Sequence, residues 1–296
     1  MSTGTSNPTP ETPAARRKTT VLTLAAQKRR GERIAMMTAY DYPSAKLVDR
    51  AEMEVILVGD SLAMVVLGME NTVAVTMEEM LHHCRAVARG AQRPLLVGDM
   101  PFLSYQVSAA DAVQNAGRFM KEGGMDAVKL EWGAEMADTV AAIVRAGIPV
   151  MGHIGLTPQH VSRLGGFRVQ GRSPEAARGL LDDALALQQA GCFAIVLEAI
   201  PAPVAAVITA RLAVPTIGIG AGGGCDGQVL VFHDLLGLFD RFTARFVRQY
   251  ANLADGMVAA LTAYRADVKS GAFPAAEHEF TMSDADLAAF EALLQP

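Results

Sequence analysis

The chain has 296 residues and carries 26 Lys+Arg against 31 Asp+Glu, a formal charge of −5. With 51% hydrophobic and 19% charged residues it can bury a large core, which excludes wholesale disorder, and its mild acidity excludes a basic nucleic-acid-binding surface. No apolar run reaches the roughly 18 residues of a membrane helix, and no apolar core of a secretory signal opens the chain.

Residues 1–17 (MSTGTSNPTPETPAARR) are rich in Ser, Thr and Pro and have no apolar period, which predicts a disordered tail. Short apolar runs then alternate with helical stretches. The runs are 34–39, 55–60, 95–99, 127–131, 150–155, 194–198, 216–222 and a weaker one at 228–234. Each is apolar on both faces, the pattern of a buried parallel strand. Between them, 76–91 opens on Thr76 with Glu78 and Glu79 in its first turn, and 108–124 opens on Ser108 and ends in Gly123–Gly124. A third helix, 173–191, opens Ser173-Pro174-Glu175 and closes on Gly191. Hydroxyl caps, early acids and terminal glycines satisfy helix ends at both poles. Eight strands with helices interposed describe an α/β fold, a (β/α)8 TIM barrel, expected over 18–280; an open doubly wound sheet is the rival. After a break at Gly271 and Pro274, Ser283 caps a short helix in a C-terminal extension, 281–296.

In a barrel the C-terminal strand ends form the active-site face. Here those ends carry Asp60 and Ser61, Asp99, Lys129 and Glu131, His153 and Glu198. Each has a plain reading as a helix cap, ion-pair partner or core histidine, with Lys129 a candidate partner of Glu131. Their recurrence at one topological place weakens those readings. Carboxylates gathered on one rim repel unless a cation or proton is shared. Asp60, Asp99 and Glu131 are hard oxygen donors that suit Mg²⁺ rather than zinc. Lys129 would face a substrate carboxylate, His153 an enolate or carboxylate oxygen, and Glu198 is left as the candidate general acid/base. A 2-oxo acid chelating the metal would be acidified next to its ketone, so the chemistry expected is Mg²⁺-assisted enolate formation on a small oxo acid.

Other signals are weaker. His82 and His83 are adjacent on the 76–91 helix, point about 100° apart and make a poor chelate. Three scattered cysteines, Cys84, Cys192 and Cys225, make neither a disulfide framework nor a zinc pattern and fit a reducing cytoplasm. Gly218, Gly220 and Gly223 satisfy G-x-G-x-x-G, but a loop follows where a dinucleotide site needs a helix. A phosphate cup, or close backbone approach to a large ligand, is the better reading. The arginines of GGFRVQGR (165–172), Arg168 and Arg172, either clamp an anionic tail or are solvated.

The stretches TAYDYPSAKL (38–47), ILVGDSLAMVVLG (56–68), VGDMPFLSY (97–105), AVKLE (127–131), GHIGLTPQ (152–159), GGFRVQGR (165–172), VLEAIP (196–201), IGIGAGGGCDGQVLV (217–231) and FPAAEHEF (273–280) occur in an order that resembles the ketopantoate hydroxymethyltransferase family. The resemblance implies a barrel of the phosphoenolpyruvate/isocitrate lyase type that uses Mg²⁺. It implies transfer of a hydroxymethyl group from 5,10-methylenetetrahydrofolate to 3-methyl-2-oxobutanoate through a Mg²⁺-stabilised enolate, giving 2-dehydropantoate for pantothenate biosynthesis. By position, Asp60, Asp99 and Glu131 look like the metal-associated acids. Asp60, Ser61, Asp99 and Lys129 look like oxo-acid contacts, His153 a residue near the substrate and Glu198 the proton acceptor. A homodecamer in the cytoplasm is also implied, with neither nucleic acid nor membrane as partner. The sequence departs from the family pattern at Ala63 and at Trp132, its only tryptophan, where glycines are common. The rival chemistry is a Mg²⁺-dependent carbon–carbon lyase on a related oxo acid, which would need a reactive cysteine on a mobile loop. A non-catalytic scaffold would have lost a rim charge, and all six are present.

Overall fold

In a computed structural model, which describes residues 17–294 except Phe167 and the Leu164 side chain, eight strands close into one parallel barrel in sequence order. The strands are β1 Ile34–Thr38, β2 Val55–Val58, β3 Leu95–Asp99, β4 Ala127–Lys129, β5 Val150–Gly155, β6 Ala194–Glu198, β7 Thr216–Ile219 and β8 Gly227–Leu230. The helices are α1 Val21–Arg30, α2 Tyr42–Arg50, α3 Leu62–Val65, α4 Met77–Gly90, α5 Ala109–Lys121, α6 Ala137–Arg145, α7 Val161–Leu164, α8 Pro174–Ala190, α9 Ala202–Arg211, α10 Phe232–Leu235, α11 Leu253–Ser270 and α12 Asp284–Leu293. The (β/α)8 expectation therefore holds, and the open sheet is excluded because β8 pairs with β1 (Met36 opposite Val229). Residues 1–16 of the expected disordered tail lie outside the described residues.

Local sequence explains the helix starts. Thr76 accepts from the Glu79 backbone while Glu79 returns a bond to Thr76, a reciprocal cap that satisfies two otherwise unpaired donors. Ser108 and Ser173 cap α5 and α8, and α8 closes on Gly191 in the left-handed conformation. The run expected at 228–234 ends early, because Phe232 opens α10.

The core has two layers. Inside the barrel, alternate strand residues stack: Ile34 and Met36, Val55 and Leu57, Leu95 and Val97, Ala194 and Val196, with Ala127, Met151, Ile217 and Val229. Leu24 of α1 joins this inner cluster, so the helix before β1 plugs the barrel's N-terminal mouth. The outer layer packs the other strand faces, such as Ile56, Leu96, Val128 and Ile195, against the helices. The period of two carries the inner series upward from 97 to Asp99, from 127 to Lys129, from 151 to His153 and from 196 to Glu198. Polar residues thus replace the apolar filling where the barrel opens.

The chain divides into two compact units. The first runs through Leu235 and includes Phe239–Arg248; the second comprises Leu236–Leu238 and residues 249 onward. The sequence-based boundary at 280 falls inside the second unit. That unit holds α11, ended by Gly271, and α12, capped by Ser283 as expected. Among the described residues no helix is long and apolar enough to cross a membrane.

Candidate active site

Asp60, Ser61, Asp99, Lys129, Glu131, His153 and Glu198 all line one cavity of about 420 Å³ within the first unit. The six ionisable groups come from five strand ends, β2 to β6, as the barrel predicts. Side chains of Asp99, Lys129, Glu131 and His153 are at most 4% exposed, while that of Glu198 is 15% exposed. Glu198 is thus the most accessible carboxylate of the buried network.

Lys129 Nζ donates to both Asp99 oxygens, at 2.7 and 2.9 Å, and lies 3.8 Å from Glu131 Oε1. Its principal partner is therefore Asp99 rather than Glu131. Burial disfavours the ammonium, but Asp99, Glu131 and Asp60 together hold its pKa above the ordinary lysine value. Asp60 donates its backbone N–H to Asp99 Oδ2 at 3.2 Å. Burial, then repulsion from Asp99 and Glu131, pushes the Asp60 carboxyl well up. Burial also raises Asp99 against the pull of Lys129. Glu131 goes the other way: burial acts against ionisation, but His153 and Lys129 hold its carboxyl below the usual value.

His153 stands between two acids, Nδ1 3.4 Å from Glu131 Oε1 and Nε2 3.2 Å from Glu198 Oε2. Neither contact is aligned as a hydrogen bond, so both ring nitrogens remain without a hydrogen-bond partner among the described residues. Burial and Lys129 lower its pKa, yet the two carboxylates raise it to about 9. The two carboxylates thus favour its protonated form. Glu198 is placed by a close strand contact: Gly155, opposite Glu198 in the β5–β6 register, has φ +96°, and a Cβ there would lie 2.2 Å from the Glu198 carbonyl oxygen. Only glycine allows this approach.

The sequence reading missed the residues that hold this cluster. Gln159 Nε2 donates to Asp60 Oδ2 and to the Met100 carbonyl, both at 2.9 Å, and its backbone N–H donates to Glu131 Oε2 at 3.0 Å. Tyr105 donates to Gln159 Oε1 at 2.6 Å and accepts the Glu131 N–H at 3.2 Å. Tyr40 OH is 2.8 Å from Ser61 Oγ. All lie in motifs already read, yet uncharged side chains gave no signal of a site.

Several expectations resolve. A Cβ on Gly218, Gly220 or Gly222 would meet Cys225, Phe246 or Ala202, so packing against the chain itself explains these three glycines, whereas Gly223 has open space around it. Arg168 lines the cavity, whereas Arg172 is exposed and does not. All three cysteines are buried and free, and none lines the cavity. Trp132 has φ +98°, a backbone conformation that favours glycine. Its ring meets His160 and lies 4.6 Å from the Arg163 guanidinium carbon, beside the cavity rather than on its wall.

The donor set can be tested against a divalent cation. Ionised, four carboxylates (Asp60, Asp99, Glu131, Glu198) face two cations (Lys129, His153), leaving two negative charges uncompensated. Among the described residues no three His, Cys, Asp or Glu side chains form a ready-made metal cluster. Mg²⁺ does not require one, since it is held by one or two carboxylates with water and substrate oxygens. Asp60 and Asp99, at neighbouring strand ends, fit that requirement, although Lys129 already bonds both Asp99 oxygens; Glu131 faces both Lys129 and His153.

Residues 18–276 match the family model of ketopantoate hydroxymethyltransferase. A 3-methyl-2-oxobutanoate hydroxymethyltransferase of Moorella thermoacetica is 63% identical over 267 residues, covering 90% of this chain and 99% of that protein. One of Oleidesulfovibrio alaskensis is 62% identical over 252 residues, covering 85% and 87%. Among solved structures, a phosphonopyruvate hydrolase complexed with oxalate and Mg²⁺ aligns with TM-score 0.58 at 14% identity, covering 93% of this chain and 96% of that one. A 2,3-dimethylmalate lyase of the PEP mutase/isocitrate lyase superfamily aligns with TM-score 0.55 at 14% identity, covering 93% and 99%. At that distance the structural likeness speaks for the fold alone. The sequence matches reach further: this chain belongs to the ketopantoate hydroxymethyltransferase family, and it is an enzyme, a transferase.

Proposed function

We propose that the protein transfers a hydroxymethyl group from 5,10-methylenetetrahydrofolate to 3-methyl-2-oxobutanoate, giving 2-dehydropantoate. The observation that carries this reading is the pairing of an accessible carboxylate, Glu198, with the His153 ring 3.2 Å away at the edge of a buried charge cluster. Glu198 takes the C3 proton of the oxo acid. His153 stabilises the negative charge that moves onto the oxo-acid oxygens, and Lys129 offsets the substrate carboxylate. The carrier's methylene carbon is held by two nitrogens, and both bonds break: water adds to that carbon as one opens, departure of the second nitrogen leaves it as a carbonyl electrophile, and C3 bonds to it. The C3 proton and the two protons of water end on the two nitrogens and the product hydroxyl.

Asp60 and Asp99 would hold Mg²⁺, with Glu131 beside them. Bound there, the cation would draw electron density from the keto oxygen and acidify C3. Three buried free thiols fit a reducing cytoplasm, and we assign the enzyme to it, as a homodecamer.

The test is deuterium exchange at C3 of 3-methyl-2-oxobutanoate with Mg²⁺, before and after chelation and without the carrier. Glu198→Gln is expected to slow exchange by about 10²–10⁴-fold, the range for a positioned base. Exchange at the parental rate would remove Glu198 from that role. Cleavage of a carbon–carbon bond without folate would replace the transferase reading by a lyase.

A further inference from the structure

The cavity extends beyond its charge cluster. The ionisable groups come from β2 to β6, but the arc from β7 through β8 to β1 also lines it. That arc offers Ile219, Leu230 and Val231, joined by Phe239, Phe242 and Phe246 from the segment after α10. The space is of the size that takes a drug-sized ligand, more than a small oxo acid fills. Phe246 is seated by the glycine-rich loop: Gly220, at φ +65°, leaves the room its ring occupies.

One carboxylate breaks this apolar arc, that of Asp234 on α10. The helix is anchored, since the Phe232 N–H donates to Thr38 Oγ1 at 2.9 Å and the Leu235 N–H to the Val231 carbonyl at 3.0 Å. Asp234 is partly buried and has no hydrogen bond or ion pair among the described residues, although Arg168 and Arg245 line the same cavity. Burial alone pushes its carboxyl up to about 6. A desolvated carboxylate without a partner is unfavourable, and a ligand that supplies donors relieves that cost.

The donors it wants are specific. A carboxylate only accepts, and its two oxygens match two parallel N–H groups. The oxo acid is an anion without such donors, and Asp234 would repel it. A flat heterocycle with an amidine edge fits both the carboxylate and the phenylalanine faces. We propose that Asp234 recognises the one-carbon carrier by the amidine edge of its pterin, the ring N–H and the adjacent amino group each donating to one carboxylate oxygen, with the ring against the phenylalanine wall. This rests on the transferase reading and adds the residue that selects the carrier.

The test uses the full chain with two carriers: 5,10-methylenetetrahydrofolate and its analogue with the 2-amino group replaced by methyl. The parent is expected to lose roughly ten- to hundred-fold in kcat/KM with the analogue, the worth of one charge-assisted hydrogen bond. Asp234→Asn is expected to lose a similar factor with the normal carrier, mostly in KM, and to discriminate far less between the two. Its carrier-independent C3 exchange separates a carrier role from a general defect. Equal use of both carriers by the parent overturns the proposal, as does a variant that loses exchange and transfer together. If Asp234→Asn does not fold, the comparison of carriers on the parent decides. If the parent exchanges C3 protons yet transfers nothing from folate, the transferase reading falls, and this inference with it.

Discussion

Gln159 is the residue on which the buried acids depend most. One side chain bonds Asp60 Oδ2, the Met100 carbonyl and the Tyr105 hydroxyl, and the same residue's N–H bonds Glu131. Replacing it with Leu leaves the side-chain partners buried and unpaired, at about 1–3 kcal/mol of folding stability. Urea unfolding measures this, and a loss under about 0.5 kcal/mol, the size of an ordinary surface substitution, would reject the role. The charged members of the site were legible in the sequence, because an acid or base at the end of an apolar run is conspicuous. Gln159, Tyr105 and Asp234 were not. A glutamine in a proline turn and a tyrosine in a loop have no local mark, and the acid of a weak apolar run passes for a helix cap.

At the scale of elements, the helix starts were legible because caps are local: Thr76, Ser108 and Ser173 lie one residue before helices they cap through their own side chains. What α1 does was not legible. Its sequence is only weakly patterned, but Leu24 is fully buried in the inner barrel cluster. Leu24→Ala should cost about 2–5 kcal/mol, because closed strands around the cavity cannot collapse onto it. Chemical denaturation tests this. A cost below about 1 kcal/mol would mean that α1 lies over the mouth without sealing it. The same geometry explains β8, which stops at Leu230 so that α10 can turn Asp234 toward the cavity.

At the scale of the molecule, the second unit has an apolar surface that its own fold leaves open. Met257, Val258, Leu261, Tyr264 and Val268 on α11 are each 45–65% exposed. Exposed apolar stripes of this kind mark interfaces. The mass in solution should therefore be several times the 31.3 kDa of one chain, and Leu261→Glu should lower it, as light scattering would record. A parent that stays monomeric at micromolar concentration would count against the homodecamer. The alternation of strands and helices, the barrel and the charged strand ends are written locally in the chain, because apolar periods, caps and turn residues act within a few positions of one another. Which charges meet depends on barrel closure. Lys129 pairs chiefly with Asp99 rather than Glu131, and His153 lies between Glu131 and Glu198. Those contacts depend on the closed register and on which face of each strand turns inward, and neither is written in any single segment.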